Sequence, residues 1–432
     1  MKTMSKLAIA LVGMAGVALA AETAQAQLVL NGAGSSAGRL FAGDSPALLC
    51  DASPKPLLFV SSEGTPNKYE WQCSINGVAN SIVRYSASAS ADGYLKQPDG
   101  AIGTAVYLNT ATCPAGSAAT IEGVAITRSV CPAATPTQTL TVHWGGADVK
   151  ASSLHQTGND GTGVIKTLTP PADSHLTTMS TVIVPFSIVV GGNVRGVDPV
   201  TSAPTPLLTL PEEQVRQIFS RGVTTWSKLG YTVINGGSDT ITTCQRTIGS
   251  GTLATLDETI MRPKFWVGGI STSLVAPNVW NASSSNMVTC INGDGSSIGY
   301  LDSDSVTAAN FPNGAYQVAI GGQPINHGTL GTGKARLTAL RCGRYPYWAD
   351  WNFIIRTAGT EAAPINAPVG TDAAIASLQT LMTTHNPLPD YWLSEGDSFV
   401  LKNADRGPFV WQATTPNGET SVNVCKGAAS PS

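Results

Sequence analysis

Four glycine- and serine-rich turns hold the residues of this sequence best equipped to grip a ligand. They are Gly32-Ala33-Gly34-Ser35-Ser36-Ala37-Gly38, Ser86-Ala87-Ser88-Ala89-Ser90-Ala91-Asp92-Gly93, Trp144-Gly145-Gly146-Ala147-Asp148 and Arg246-Thr247-Ile248-Gly249-Ser250-Gly251-Thr252. Small residues let backbone N–H groups converge on a bound group, hydroxyls add donors, and a helix N-terminus adds roughly half a positive charge. Arg246 supplies a permanent cation and Asp148 a carboxylate. Each turn alone is an ordinary turn. Together they read as parts of one oxyanion site.

Other chemistries find less support. Gly295-Ser296-Ser297-Ile298-Gly299 matches G-x-S-x-G, the pattern that exposes a nucleophilic serine at a strand-to-helix turn in hydrolases. The following Tyr300-Leu301-Asp302 is a poor helix start, so no catalysis is expected. The five histidines, at 143, 155, 175, 327 and 385, form no H-x-x-x-H or H-E-x-x-H pair. They read as ordinary loop or surface residues, and neither metal nor cofactor is expected.

The turns need elements to aim them. Strand-like runs occur at Ile82–Tyr85, Leu140–Trp144, Thr181–Phe186, Ser187–Val190 and Trp351–Ile355. They are β-branched and nearly continuous in apolar character, as strands covered on both faces are. A helix is expected from Thr209, where Thr209 and Glu212 have capping-box spacing and Pro211 falls in the first turn. Val215, Ile218 and Phe219 then recur at helical spacing before Gly222. Further helices are expected over 253–260 and 372–382. Strands alternating with helices predict α/β layers with mostly parallel pairing. Residues 91–140, rich in Ala, Thr, Pro and Gly with two cysteines, read as a disulfide-stapled excursion.

Lys2, Lys6, the apolar run Leu7–Ala20 and Ala24-Gln25-Ala26 form an export leader. Cleavage is expected near Ala26/Gln27, with Ala20 the second choice, and no lipid or membrane anchor is expected. The eight cysteines then meet an oxidising compartment. Pairing of sequence neighbours is the expectation, Cys50–Cys73, Cys113–Cys131, Cys244–Cys290 and Cys342–Cys425, one of 105 connectivities that eight cysteines allow. A formal charge of −3 with only 12% charged residues offers no basic face for nucleic acid or anionic lipid. Local geometry must hold any anion.

The order of these motifs resembles the periplasmic phosphate-binding proteins of ABC transporters, within the type 2 periplasmic binding protein superfamily. Gly32 to Ala37 is similar to that family's Gly-Ala-Gly-Ala-Thr-Phe turn, and Tyr85 through Ser90 to Gly93 echoes its Tyr-x-x-x-Gly-Ser-Ser-Gly-Gly turn. Trp144 to Asp148 is similar to Phe-Gly-Ala-Ser-Asp. Arg246 to Thr252 is similar to Arg-Ser-Asp-Gly-Ser-Gly-Thr. Leu210 to Trp226, Ser297-Ile298-Gly299-Tyr300 and Tyr345-Pro346 match further landmarks. Four positions depart: Ser36 replaces threonine, Ala37 phenylalanine, Asp92 glycine, and Ile248 the acidic residue that orients the arginine.

The resemblance implies a cage of Ser36, the Ala37 N–H, Ser90, Asp148, Arg246, Ser250, Gly251 and Thr252. Phosphate carries about −1.5 to −2 charges near neutrality, close to the sum of one guanidinium and two helix N-termini at about +0.5 each. Asp148 opposes any anion unless the ligand keeps a proton to donate. Phosphate keeps one at neutral pH and sulfate does not, so Asp148 is expected to act as the selectivity filter.

The expected fold is α/β, a two-lobed type 2 periplasmic binding protein with a disulfide-stapled insertion. Lobe one is placed at 27–180 plus 345–432 and lobe two at 181–344. The expected function is capture of inorganic phosphate, or arsenate of like shape, for uptake. A monomer in the periplasm or secreted, serving an ABC permease, completes the expectation. The competing reading is an extracellular adhesion, matrix or assembly protein that keeps the receptor fold without tight anion binding.

Overall fold

The computed structural model describes residues 28–61, 67–99, 103–262, 269–274, 277–325, 337–357, 371–384, 392–402, 404–405, 407, 409–415, 418–420 and 424–425. The leader, His327 and His385 lie outside the described residues.

The strands that carry the site are β1 (Val29–Ser35), β2 (Val78–Ser88), β3 (Trp144–Ala147), β4 (Leu176–Val190), β5 (Thr242–Arg246), β6 (Asn278–Asn281), β7 (Ser297–Asp302) and β8 (Trp348–Arg356). They follow one another through one large sheet in the order β6-β5-β7-β4-β8-β3-β1-β2. Pairing is parallel among β2, β1 and β3, and again among β6, β5 and β7. It is antiparallel where β4 meets β7 and β8, and where β8 meets β3. The sheet is therefore mixed, because β4 and β8, each antiparallel to its neighbours, join two parallel groups.

Strand β4 is nearly all Val, Ile, Thr, Ser and Phe after Leu176, which favours extended backbone. Its first part pairs with β8 from Leu176↔Arg356 to Pro185↔Trp348. Its last part pairs with β7 from Phe186↔Asp302 to Val190↔Ile298. The two runs Thr181–Phe186 and Ser187–Val190 are thus one strand that serves both halves of the molecule.

Helices are few: α1 (Ser90–Leu95), α2 (Glu212–Phe219), α3 (Gly251–Thr255), α4 (Ser284–Gly293) and α5 (Thr371–Thr384) carry the arguments below. Helix α2 buries Val215, Ile218 and Phe219, but its N-cap is Pro211 without a side-chain bond. The Thr209 capping box does not form. Thr209 pairs with Ala319 as a strand residue, and its hydroxyl donates to the Ala319 carbonyl at 3.2 Å. Helix α3 begins at Gly251 and widens into a π-helical turn, Leu256–Met261. The run Leu140–Trp144 breaks after Thr141, where Thr137–Thr141 turns to pair with Thr104–Leu108.

The four disulfides join Cys50 to Cys73, Cys113 to Cys131, Cys244 to Cys290 and Cys342 to Cys425. Cys113–Cys131 staples the insertion, whose strand Val124–Cys131 pairs parallel with Leu57–Ser61 and extends the large sheet. Cys244–Cys290 ties β5 to α4. The core is aromatic around the sheet's centre: Trp144 stacks on Tyr85 and Phe353, with ring centroids 5.2 and 5.3 Å apart.

Candidate functional site

The C-terminal ends of β1, β3 and β5 point their following turns at one place. Glycine makes this approach possible. Gly34 adopts φ +142°, and a Cβ there would strike the Gly146 carbonyl of the neighbouring strand. A Cβ on Gly251 would strike the Ser90 hydroxyl and the Asp148 carboxylate. So the start of α3 lies directly against the residues that end β3 and start α1. Turns far apart in sequence meet.

Two consecutive serines at the end of β1 hold the two charged groups. The Ser35 hydroxyl donates to Asp148 Oδ1 and accepts from Gly38 N at 3.1 Å. Ser90 Oγ donates to Asp148 Oδ2 at 3.0 Å and accepts from the Asp148 N–H at 3.1 Å. Ser36 Oγ accepts from Arg246 Nη2 at 3.2 Å. Arg246 and Asp148, 1% and 2% exposed, feel each other's charge.

Burial pushes the Asp148 carboxyl up to about 6, against the hydrogen bonds of Ser35 and Ser90 and the pull of Arg246. Burial also lowers the Arg246 pKa, yet a guanidinium stays protonated in proteins. The same guanidinium donates to Ser284 Oγ at 3.4 Å and to the Ala282 carbonyl at 3.3 Å. Its buried Nε–H has no hydrogen-bond partner among the described residues. Among those residues no carboxylate is in ion-pair contact with it.

A second arginine is already neutralised. Arg39 Nη1 lies 3.0 Å from Asp302 Oδ2 and 2.8 Å from the Ser36 carbonyl, and Nη2 donates to Ser305 Oγ at 2.7 Å. Burial pushes Asp302 up, but Arg39 and hydrogen bonds from Ser305 and Ser284 outweigh it and hold the carboxyl below its usual range. Ser284 at the start of α4 donates to Asp302 Oδ1 at 2.8 Å. The chain Arg246–Ser284–Asp302 thus orients the arginine where Ile248 offers no acid.

The remaining expected residues lie in or beside the same turns. Ala37, Ser250, Gly251 and Thr252 are buried. Ser250 caps α3 by accepting from Leu253 N at 3.4 Å, and Tyr347 donates to the Thr252 carbonyl at 2.9 Å. The Arg246 N–H donates to Tyr300 Oη at 3.0 Å. Asp92 turns aside and accepts from Ser88 at 2.6 Å.

Sequence reading passed over Ser35, Arg39, Ser284 and Asp302. Ser35 stands beside the expected Ser36, and Ser284 sits in a Ser283-Ser284-Ser285 run that signals a helix start. The Arg39–Asp302 pair spans 263 residues and leaves no local signal. Ser297 does not sit at a strand-to-helix turn. It is buried within β7 and donates to the Ile291 carbonyl at 2.9 Å.

Two α/β halves sharing a strand, with ligand-competent turns meeting between them, define a type 2 periplasmic binding protein fold. A family model described as the PBP superfamily domain matches residues 145–374. The chain belongs to the PBP superfamily. No curated protein matches it. Among solved structures it is similar to a substrate-binding protein from Clostridium perfringens with bound phosphate, at 12% identity and TM-score 0.42, covering 77% of this chain and 89% of that one. It is similar to PstS from Borrelia burgdorferi at 9% and 0.37, covering 83% and 94%. A phosphate-binding protein from Stenotrophomonas maltophilia follows at 16% and 0.38, covering 76% and 79%. Among the described residues no helix is long and apolar enough to cross a membrane.

Proposed function

We propose that this protein is an exported receptor that captures inorganic phosphate, or an oxyanion of the same shape and protonation, between its lobes for uptake. The observation that carries the reading is Arg246, a buried guanidinium whose partners are two serine hydroxyls and a carbonyl. Burial of this guanidinium outweighs the longer-range pull of Asp302 and Asp148, and a buried cation outside an ion pair costs several kcal/mol. An anion at this place would relieve that cost and accept from the idle Nε–H.

Ser36, the Ala37 N–H, Ser90, Asp148, Ser250, Gly251 and Thr252 supply the rest of the proposed cage. The Asp148 carboxylate, ionised above pH about 6, would accept the ligand's proton. Sulfate has no proton to give, so its charge would face the Asp148 carboxylate with no hydrogen bond between them to offset the repulsion. Lobe one at 27–180 plus 345–432 and lobe two at 181–344, a leader over 1–26, a periplasmic or secreted monomer and an ABC permease reading the closed form belong to the same proposal. Binding without catalysis is part of it.

Competition between phosphate and sulfate tests the filter. Wild type should prefer phosphate at pH 7.5, and Asp148→Asn should narrow that preference by about tenfold or more. An unchanged ratio in the variant would remove Asp148 from the role.

A further inference from the structure

Away from the anion cage, His155 faces two adjacent carboxylates. Its Nε2 lies 3.3 Å from Glu258 Oε1 and 3.9 Å from Asp257 Oδ2. The candidate ligand atoms of all three residues lie within 4.8 Å of one another. His155 follows the short turn Ala151–Ser153, just beyond Asp148. Asp257 and Glu258 occupy the π-helical turn Leu256–Met261 that continues α3. Such turns are rare and concentrate at functional sites.

The other ring nitrogen says more. His155 Nδ1 lies 3.1 Å from the Ser152 carbonyl oxygen. A carbonyl only accepts, so Nδ1 carries the hydrogen. Nε2 is then the ring atom that faces the two carboxylates. Metal-ligating histidines are built this way, with one nitrogen on the ion and the other N–H held by a carbonyl or carboxylate. Asp257 and Glu258 are buried, at 7% and 3% exposure, while 36% of the His155 side chain remains open. That gives a dry floor and a route of entry.

We propose that His155, Asp257 and Glu258 bind a divalent transition-metal ion, with zinc the best match. One imidazole and two carboxylates with a water suit four-coordinate zinc, whereas calcium takes six to eight oxygens. Zinc bonds of about 2.0–2.2 Å put neighbouring donors roughly 3.4 Å apart, so small side-chain shifts close this set on an ion. Two carboxylates neutralise the charge of a dication. The bound ion clasps the segment after Asp148 to the helix that begins with Gly251 and Thr252. The site is independent of which anion the cage takes.

Calorimetric titration of zinc chloride, and separately manganese chloride, into chelator-stripped protein tests the site without phosphate present. One saturable zinc site per chain and a raised unfolding temperature are expected. His155→Ala and Asp257→Asn should each weaken zinc by more than about tenfold, since even outer-shell changes cost that much. His155→Gln serves as a milder variant if the alanine variant does not fold. Two outcomes overturn the proposal. One is no saturable binding of either ion, which leaves a plain histidine–carboxylate pair. The other is zinc affinity unchanged in the His155 and Asp257 variants.

Discussion

Asp148 is buried and held by two serine hydroxyls, and its folded pKa of about 6 stands above the ordinary 3.8. The folded protein therefore keeps this proton more tightly than the unfolded chain. That stabilisation is complete below the unfolded value and is gone once pH passes the folded one. The buried charge then weighs against the ligand-free protein by about 3 kcal/mol at neutral pH. Asp148→Asn should consequently stabilise ligand-free protein at pH 7 and do little at pH 3.5. Denaturant unfolding at the two pH values reads the difference, and equal effects at both would remove the charge argument. Asp302 has the opposite character, since its carboxylate compensates the buried Arg39. Asp302→Ala should cost about 3–5 kcal/mol by stranding that cation. A loss below 1 kcal/mol in the same unfolding measurement would contradict the pairing.

At the scale of elements, the site depends on how closely the start of α3 approaches the end of β3. Gly251 permits contact with Ser90 and Asp148, and no larger residue fits without displacing them. Gly251→Ala should weaken phosphate binding by at least about tenfold through an overpacked closed form, at a cost of about 1–3 kcal/mol. Isothermal titration checks it, and wild-type affinity would mean the contact is dispensable. The turns themselves were legible in the sequence, because Gly-Ser runs beside β-branched strands carry a local signal. Neighbour pairing of the cysteines, which the sequence could not select from the 105 connectivities, is the pairing observed. The supports were not legible. Ser284 and Asp302 reach Arg246 through tertiary contacts, and Thr209 satisfied a capping pattern yet went to a strand because Ala319 offered a backbone partner. The mixed sheet was hidden for the same reason. Apolar continuity marks β4 as buried but says nothing of the direction of its neighbours. Nor did the spacing of histidines reveal His155, whose carboxylate neighbours arrive from a helix about a hundred residues away.

For the molecule as a whole, β4 and β8 lie between the two parallel groups, so the halves that carry Asp148 and Arg246 are joined by continuous sheet. A ligand touching both sides favours the closed arrangement only through contacts that the open one lacks. On the proposed reading Ser36, Ser90 and Gly251 supply such contacts, and Arg246, whose hydrogen bonds go to two hydroxyls and a carbonyl, is the cation that the anion would meet. The most direct test is phosphate titration by calorimetry into wild type stripped of bound anions, alongside Arg246→Ala. The account predicts one phosphate per wild-type chain and at least about a hundredfold weaker binding in the variant, the cost of an uncompensated site. No phosphate binding by correctly folded wild type, or equal affinity in the two proteins, would contradict it.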